Sequence, residues 1–141
     1  MEYLTRKAHS ATQSPNGRKA WHHLQKQYAA HLRSINTSLK DGWRSLAGQD
    51  FTDAVLRVAE RPAFDQVIVE VGGHVMILRG VRQARLPETT AEQPSWIAHE
   101  VHVSDDDTFE LKVLLSEGEI RVTAEEVGIY RAESVALRKS A

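Results

Sequence analysis

The chain has 141 residues, 41% of them hydrophobic and 26% charged, with a formal net charge of −1. That size and balance fit one globular domain with a core of its own and exclude a chain disordered throughout. With no cysteine there is no disulfide framework, zinc–thiolate site or thiol nucleophile, and no apolar run reaches the ~20 residues that span a bilayer as a helix.

The charge is unevenly placed. Residues 1–62 carry a net +5 and residues 63–141 a net −6, and residues 3–40 contain no Asp or Glu at all. Residues 1–16 are expected to be an extended or coil start, without the apolar stretch of a secretory signal. The expected location is cytoplasmic.

The spacing predicts a helix over 17–41. Ser14-Pro15-Asn16-Gly17 supplies side chains that cap free N–H groups. From there Trp21, Leu24, Tyr28, Leu32, Ile35 and Leu39 recur at steps of three and four, which keeps them on one stripe. Asp41-Gly42 reads as the stop. Lys19, Lys26, Arg33 and Lys40 recur every seven residues on the opposite side, with His22 beside them. That basic row is the candidate interaction surface: a solvated face, a dock for an acidic protein, or a site for nucleic acid or anionic lipid. A duplex reader also needs groove-reading or stacking groups, and the row shows none.

Trp43, Leu46 and Phe51 read as a connecting half-turn or short helix. The antiparallel sheet is expected over 53–131. Its first strand, Ala54 to Val58, should end at Arg61-Pro62. Gly72-Gly73 between Val67–Val71 and Val75–Arg79 is a two-residue hairpin signal, because both central residues of that turn need positive φ. The turn pairs Val71 with His74, Val69 with Met76 and Val67 with Leu78. Arg82 to Pro94 reads as a polar loop. Trp96–Val103, Phe109–Ser116 and Glu119–Ala124 read as three further strands. The Asp105-Asp106-Asp107 turn sets Val101 opposite Leu111 and His99 opposite Val113. The Glu117-Gly118 turn pairs Leu115 with Ile120, Val113 with Val122 and Leu111 with Ala124. Val127–Tyr130 adds a short last strand, and 132–141 is a tail.

In that register Glu100 opposes Lys112 and His102 opposes Glu110, as cross-strand charge pairs on a solvent face. His99 turns inward as a candidate buried polar residue, either hydrogen-bonded within the core or a functional imidazole. His99 and His102 point to opposite faces and cannot share an ion. His22, His23 and His31 lack the i, i+4 spacing of a helical zinc site. Asp105-Asp106-Asp107-Thr108 lacks the glycine and the downstream Glu of a calcium loop. No serine elbow or phosphate-cradling glycine loop is present. Trp96 should pack, cover an edge or serve as a binding anchor. No catalytic residue, metal ligand or cofactor is expected.

Met1-Glu2-Tyr3-Leu4-Thr5, with Trp96, His99-Glu100-Val101, Phe109-Glu110-Leu111 and Val113-Leu114-Leu115 before Gly118-Glu119, resembles small uncharacterised bacterial proteins of a domain-of-unknown-function type. The resemblance implies a bacterial cytoplasmic protein and brings no activity.

The expected fold is α+β: residues 1–141 as one domain, with the long N-terminal helix packed on a curved antiparallel β-meander of about six strands. The expected function is a non-catalytic protein-interaction module, such as an immunity or regulatory protein that binds another protein. One alternative is an anion or nucleic-acid binder using the basic helix face. The other is a small-ligand binder or enzyme with a pocket between helix and sheet.

Overall fold

The computed structural model describes residues 2–87, 93–105 and 107–132. Three helices come first: α1 (Arg6–Ser10), α2 (Pro15–Ile35) and α3 (Asp41–Ala47). Eight strands follow: β1 (Leu56–Ala63), β2 (Gln66–Val71), β3 (His74–Arg79), β4 (Gln83–Arg85), β5 (Trp96–Asp105), β6 (Thr108–Leu115), β7 (Glu119–Ala124) and β8 (Glu126–Arg131). The class is α+β with the helices N-terminal, as the pattern of periods implies.

The sheet is not one meander of six strands. The strands form two antiparallel sheets of four, in the orders β1-β2-β3-β8 and β4-β7-β6-β5. The polar stretch expected to be all loop contains β4, which pairs with β7. Residues 88–92 of that stretch lie outside the described residues, as do Asp106 of the acidic turn and 133–141 of the expected tail. The two sheets meet where Val55 bridges Ser95.

The Gly72-Gly73 hairpin has the expected pairing, with Val71 opposite His74 and Val69 opposite Met76. Both glycines have positive φ, 54° and 77°, as the turn requires. The register over 99–113 is also as expected, with His99 opposite Val113 and Val101 opposite Leu111. The next hairpin differs. Val113 faces Ile120, Leu111 faces Val122 and Phe109 faces Ala124. Ser116 through Gly118 form the turn, with Gly118 at positive φ. A slip of two residues keeps every side chain on its face, so the inward set is unchanged. β1 runs on through Pro62, past its expected end. It is an edge strand, and a register irregularity between Glu60 and Ala63 leaves Pro62 outside the pairing with β2.

The expected helix also changes at both ends. Ser14 accepts a hydrogen bond from the Gly17 N–H and Pro15 starts the helix. α2 ends at Ile35, and a tight turn over Asn36–Ser38 redirects the chain. Asp41-Gly42, expected to stop the helix, begins α3 instead. Asp41 there sits in the first turn, where negative charge suits the helix dipole.

The core is therefore placed differently from expectation. It lies between the inner faces of the two sheets, with Trp43 and Leu46 of α3 fully buried among Val69, Met76, Leu111 and Val122. Of the predicted α2 stripe only Tyr28 is buried within the helix. Leu39 is buried too, but from beyond the turn. Trp21, Leu24, Leu32 and Ile35 are half-buried. α3 occupies the segment read as a half-turn or short helix, whereas α1 lies within the stretch expected to be an extended or coil start, its five residues too few for periodicity to show.

α3 lies against β8. Trp43 Nε1 donates to the Glu125 carbonyl at 3.1 Å, and a Cβ on Gly42 would overlap the Val127 carbonyl. Gly42→Ala should therefore lower stability by about 1–3 kcal/mol, the usual range for an overfilled contact. Urea unfolding measures it, and an unchanged midpoint would mean α3 is not seated this way.

Candidate functional site

Three places merit description as sites: the basic face of α2, a buried polar cluster beneath the N-terminus, and a cleft beside β5.

Lys19, His22, Lys26 and Arg33 are all exposed on α2. None of them forms an ion pair with a described residue. Lys40 is exposed as well, but it is the residue before α3 and no longer continues the row. Some other cations are committed. Arg6 donates to the carbonyls of Leu115 and Gly118, Arg44 to Asp41 and Leu39, and Arg82 to Glu125.

The buried cluster overturns the expected solvent face of β5. The register was right, yet Glu100 has no exposure and His102 only 7%. The N-terminal strap and α2 cover the face that strand alternation alone assigns to water. Glu100 accepts hydrogen bonds from the backbone N–H groups of Glu2, Tyr3 and Leu4, at 3.3, 3.2 and 2.7 Å. It also accepts one from His102 Nε2 at 2.8 Å. Burial alone would raise its pKa, but the bonds from His102, Leu4 and Tyr3 outweigh burial and hold the carboxyl below its ordinary value. Lys112, the expected partner of Glu100, reaches Glu110 instead at 3.4 Å.

Helix α2 closes this cluster. Tyr28 and His31 are three residues apart and so share a face. The Tyr28 hydroxyl accepts the Val101 N–H at 2.7 Å. That occupies a backbone donor on β5, an edge strand, and burial pushes the phenol pKa up. The His31 and His102 rings lie 5.0 Å apart, with Tyr3 packed on both. Burial, and then His102, hold His31 below its ordinary value. Its Nε2 is buried without a hydrogen-bond partner among the described residues. Sequence reasoning missed Glu100, His102 and His31 as one group. The available signal was the i, i+3 pair Tyr28–His31 on the stripe, since a helix that buries those two must bury whatever they touch.

His99 is half-buried beside α3. Trp96 Nε1 donates to Nδ1 at 3.0 Å, so the neutral ring carries its proton on Nε2 and donates it to the Leu46 carbonyl at 2.9 Å. Burial holds its pKa down. Both nitrogens are used, which makes His99 a link between β5 and α3. Trp96, 1% exposed, packs in the core because a register irregularity between Trp96 and Ala98 turns it inward.

The cleft has two adjoining parts, about 280 and 180 Å³, which share Gln25, Thr52 and Ile97. Trp21 and His9 line the outer part. Phe51, Trp96 and His99 line the deeper part. Among the described residues no group of three His, Asp or Glu side chains is arranged to hold a metal ion. None of their helices is long and apolar enough to cross a membrane.

No model of a known protein family matches the chain. No curated protein matches it significantly either.

The cluster makes stability depend on acid. His99 and Glu100 are both held below their ordinary values, so each contributes stability that is complete above its unfolded pKa and lost as pH falls through its folded one. The urea midpoint should begin to fall below about pH 6.5 and fall further below about pH 4.3, the unperturbed His and Glu values. His99→Gln can still bond both Trp96 and Leu46 and should shrink the first decline. Glu100→Gln should cost about 2–4 kcal/mol at neutral pH, as expected for breaking a buried charged network. Its gap from the wild type should narrow in acid, where the wild-type carboxyl is itself protonated.

Proposed function

We propose that the chain is a non-catalytic interaction module, of the kind an immunity or regulatory protein would be, which docks an acidic protein surface on the outer face of α2. The observation that carries this is the set Lys19, His22, Lys26 and Arg33, exposed on one helix without an acidic partner among the described residues. Lys19, Lys26 and Arg33 are spaced by seven residues, roughly 10 Å of rise each. A row of that pitch fits carboxylates spread along a surface. The half-buried Trp21, Leu24, Leu32 and Ile35 hold the helix against the rest of the chain while its opposite side stays open. His99 has no free nitrogen and the Tyr28 hydroxyl is occupied, which supports binding over chemistry.

A labelled Glu-rich peptide tests this against a labelled DNA duplex. The peptide should bind, and Lys19→Glu/Lys26→Glu/Arg33→Glu should weaken it roughly tenfold or more while the circular dichroism is unchanged. Equal peptide binding by the wild type and the reversed variant removes the proposal. A clear preference for the duplex, with a steep salt slope, assigns the face to nucleic acid instead.

A further inference from the structure

The cleft beside β5 differs in character from the face just described. Its outer part is lined by His9 from α1, by Trp21 and Gln25 from α2, by Thr52 and Asp53 from the loop before β1, and by Ser95 and Ile97 at the start of β5. Asp50 lines the adjoining part. On the helix Trp21 and Gln25 lie within about 40° of each other, whereas Lys19 and Lys26 are turned away from Trp21 by about 140–160°. The basic row therefore does not reach this side.

The lining groups are free to bond. Trp21 is half-buried, and its only described ring contact is an edge-on one with His9 at 5.2 Å. Among the described residues no hydrogen bond engages the Trp21 indole N–H, the Gln25 amide or the Asp53 carboxylate. Arg6 donates to the carbonyls of Leu115 and Gly118, and Arg18 to that of Thr12. No Lys or Arg lines either part of the cleft. Asp50 accepts the Thr52 N–H at 2.9 Å, and bonds from Thr52 hold its carboxyl below the ordinary value. Asp53 has φ 67°, and its N–H is fixed to the Trp96 carbonyl at 2.8 Å. The loop is thus tied to β5 in a conformation a residue with a Cβ seldom adopts.

Two carboxylates with no Lys or Arg among the lining groups, beside an aromatic ring, an amide and the His9 imidazole, form a concave site of one chemical preference. An aromatic face attracts a cation and repels an anion, and the carboxylates add to that attraction. We propose that this cleft recognises an organic cation, an amine or guanidinium group, seated on the Trp21 ring and paired with Asp50 and Asp53. The group would come from a small polyamine-like molecule or from a Lys or Arg side chain of a polypeptide. The proposal does not depend on the basic face of α2, so either can fail alone.

The test follows amide and indole resonances by heteronuclear NMR during titration. One arm adds agmatine, a small guanidinium compound. A second adds a Gly-Ser peptide with one central Arg, and a third the same peptide with neutral citrulline in place of Arg. The Trp21 indole and the Asp53 and Ile97 amides should shift with agmatine or the Arg peptide and not with the citrulline peptide. The tighter of the first two arms identifies the source. Asn also tolerates left-handed backbone, so Asp53→Asn should fold and weaken binding roughly fivefold or more. Lys19→Glu/Lys26→Glu should leave the cation's affinity the same or slightly tighter. No shift at millimolar agmatine and Arg peptide, equal binding of the citrulline peptide, or full affinity in Asp53→Asn would each overturn the proposal.

Discussion

A carboxylate without exposure must collect its hydrogen bonds from the protein, and Glu100 does so from three backbone N–H groups and one imidazole. Much of the N-terminal arrangement is organised around that requirement. The strap is fixed because its amides are the donors. The orientation of α2 follows, because Tyr28 and His31 must close over the same spot. The β5 edge is covered as a result, with Tyr28 taking up a backbone donor there. Such a network contributes specificity of arrangement more than net stability, since desolvating the charge offsets much of what its bonds return.

Charge is sorted by surface. Arg6 of α1, Arg44 of α3 and Arg82 just before β4 are tied to carbonyls or acids. The cations along the outside of α2 are left in water, while the opposite flank of the same helix borders two carboxylates. One 21-residue helix thus separates a positive face from a negative cleft, and the chain's near-zero total conceals both. Field lines from the two are partly screened within ~8 Å at physiological salt, so each acts on what is close to it.

How much of this was legible in the sequence depended on the range of the interaction. The Gly72-Gly73 turn and the pairing around Val101 follow from local rules, turn chemistry and strict alternation, and the structure has them. The helix was legible from its stripe, though its end was not, because a break at Ile35 leaves the apolar spacing of Leu39 intact. The division into two sheets was hidden because β8 pairs with the distant β3 and not with β7, and β4 because it is three residues long within a polar stretch. For the buried cluster, alternation correctly put Glu100 and Lys112 on one face. It could not reveal that residues 2–4, nearly a hundred positions away, cover that face. His99 was legible as inward, and its two bonds make it a strut.

The strap has a further consequence for the order of events in making the protein. Its partner carboxylate is 98 residues downstream of Glu2. At ~5–20 residues per second, translation leaves the first residues waiting on the order of ten seconds for that partner. Throughout that interval the strap has no docking place, and α2 has no β5 to lie against. The strap is accordingly among the last parts to settle, and the loop it closes spans about a hundred residues.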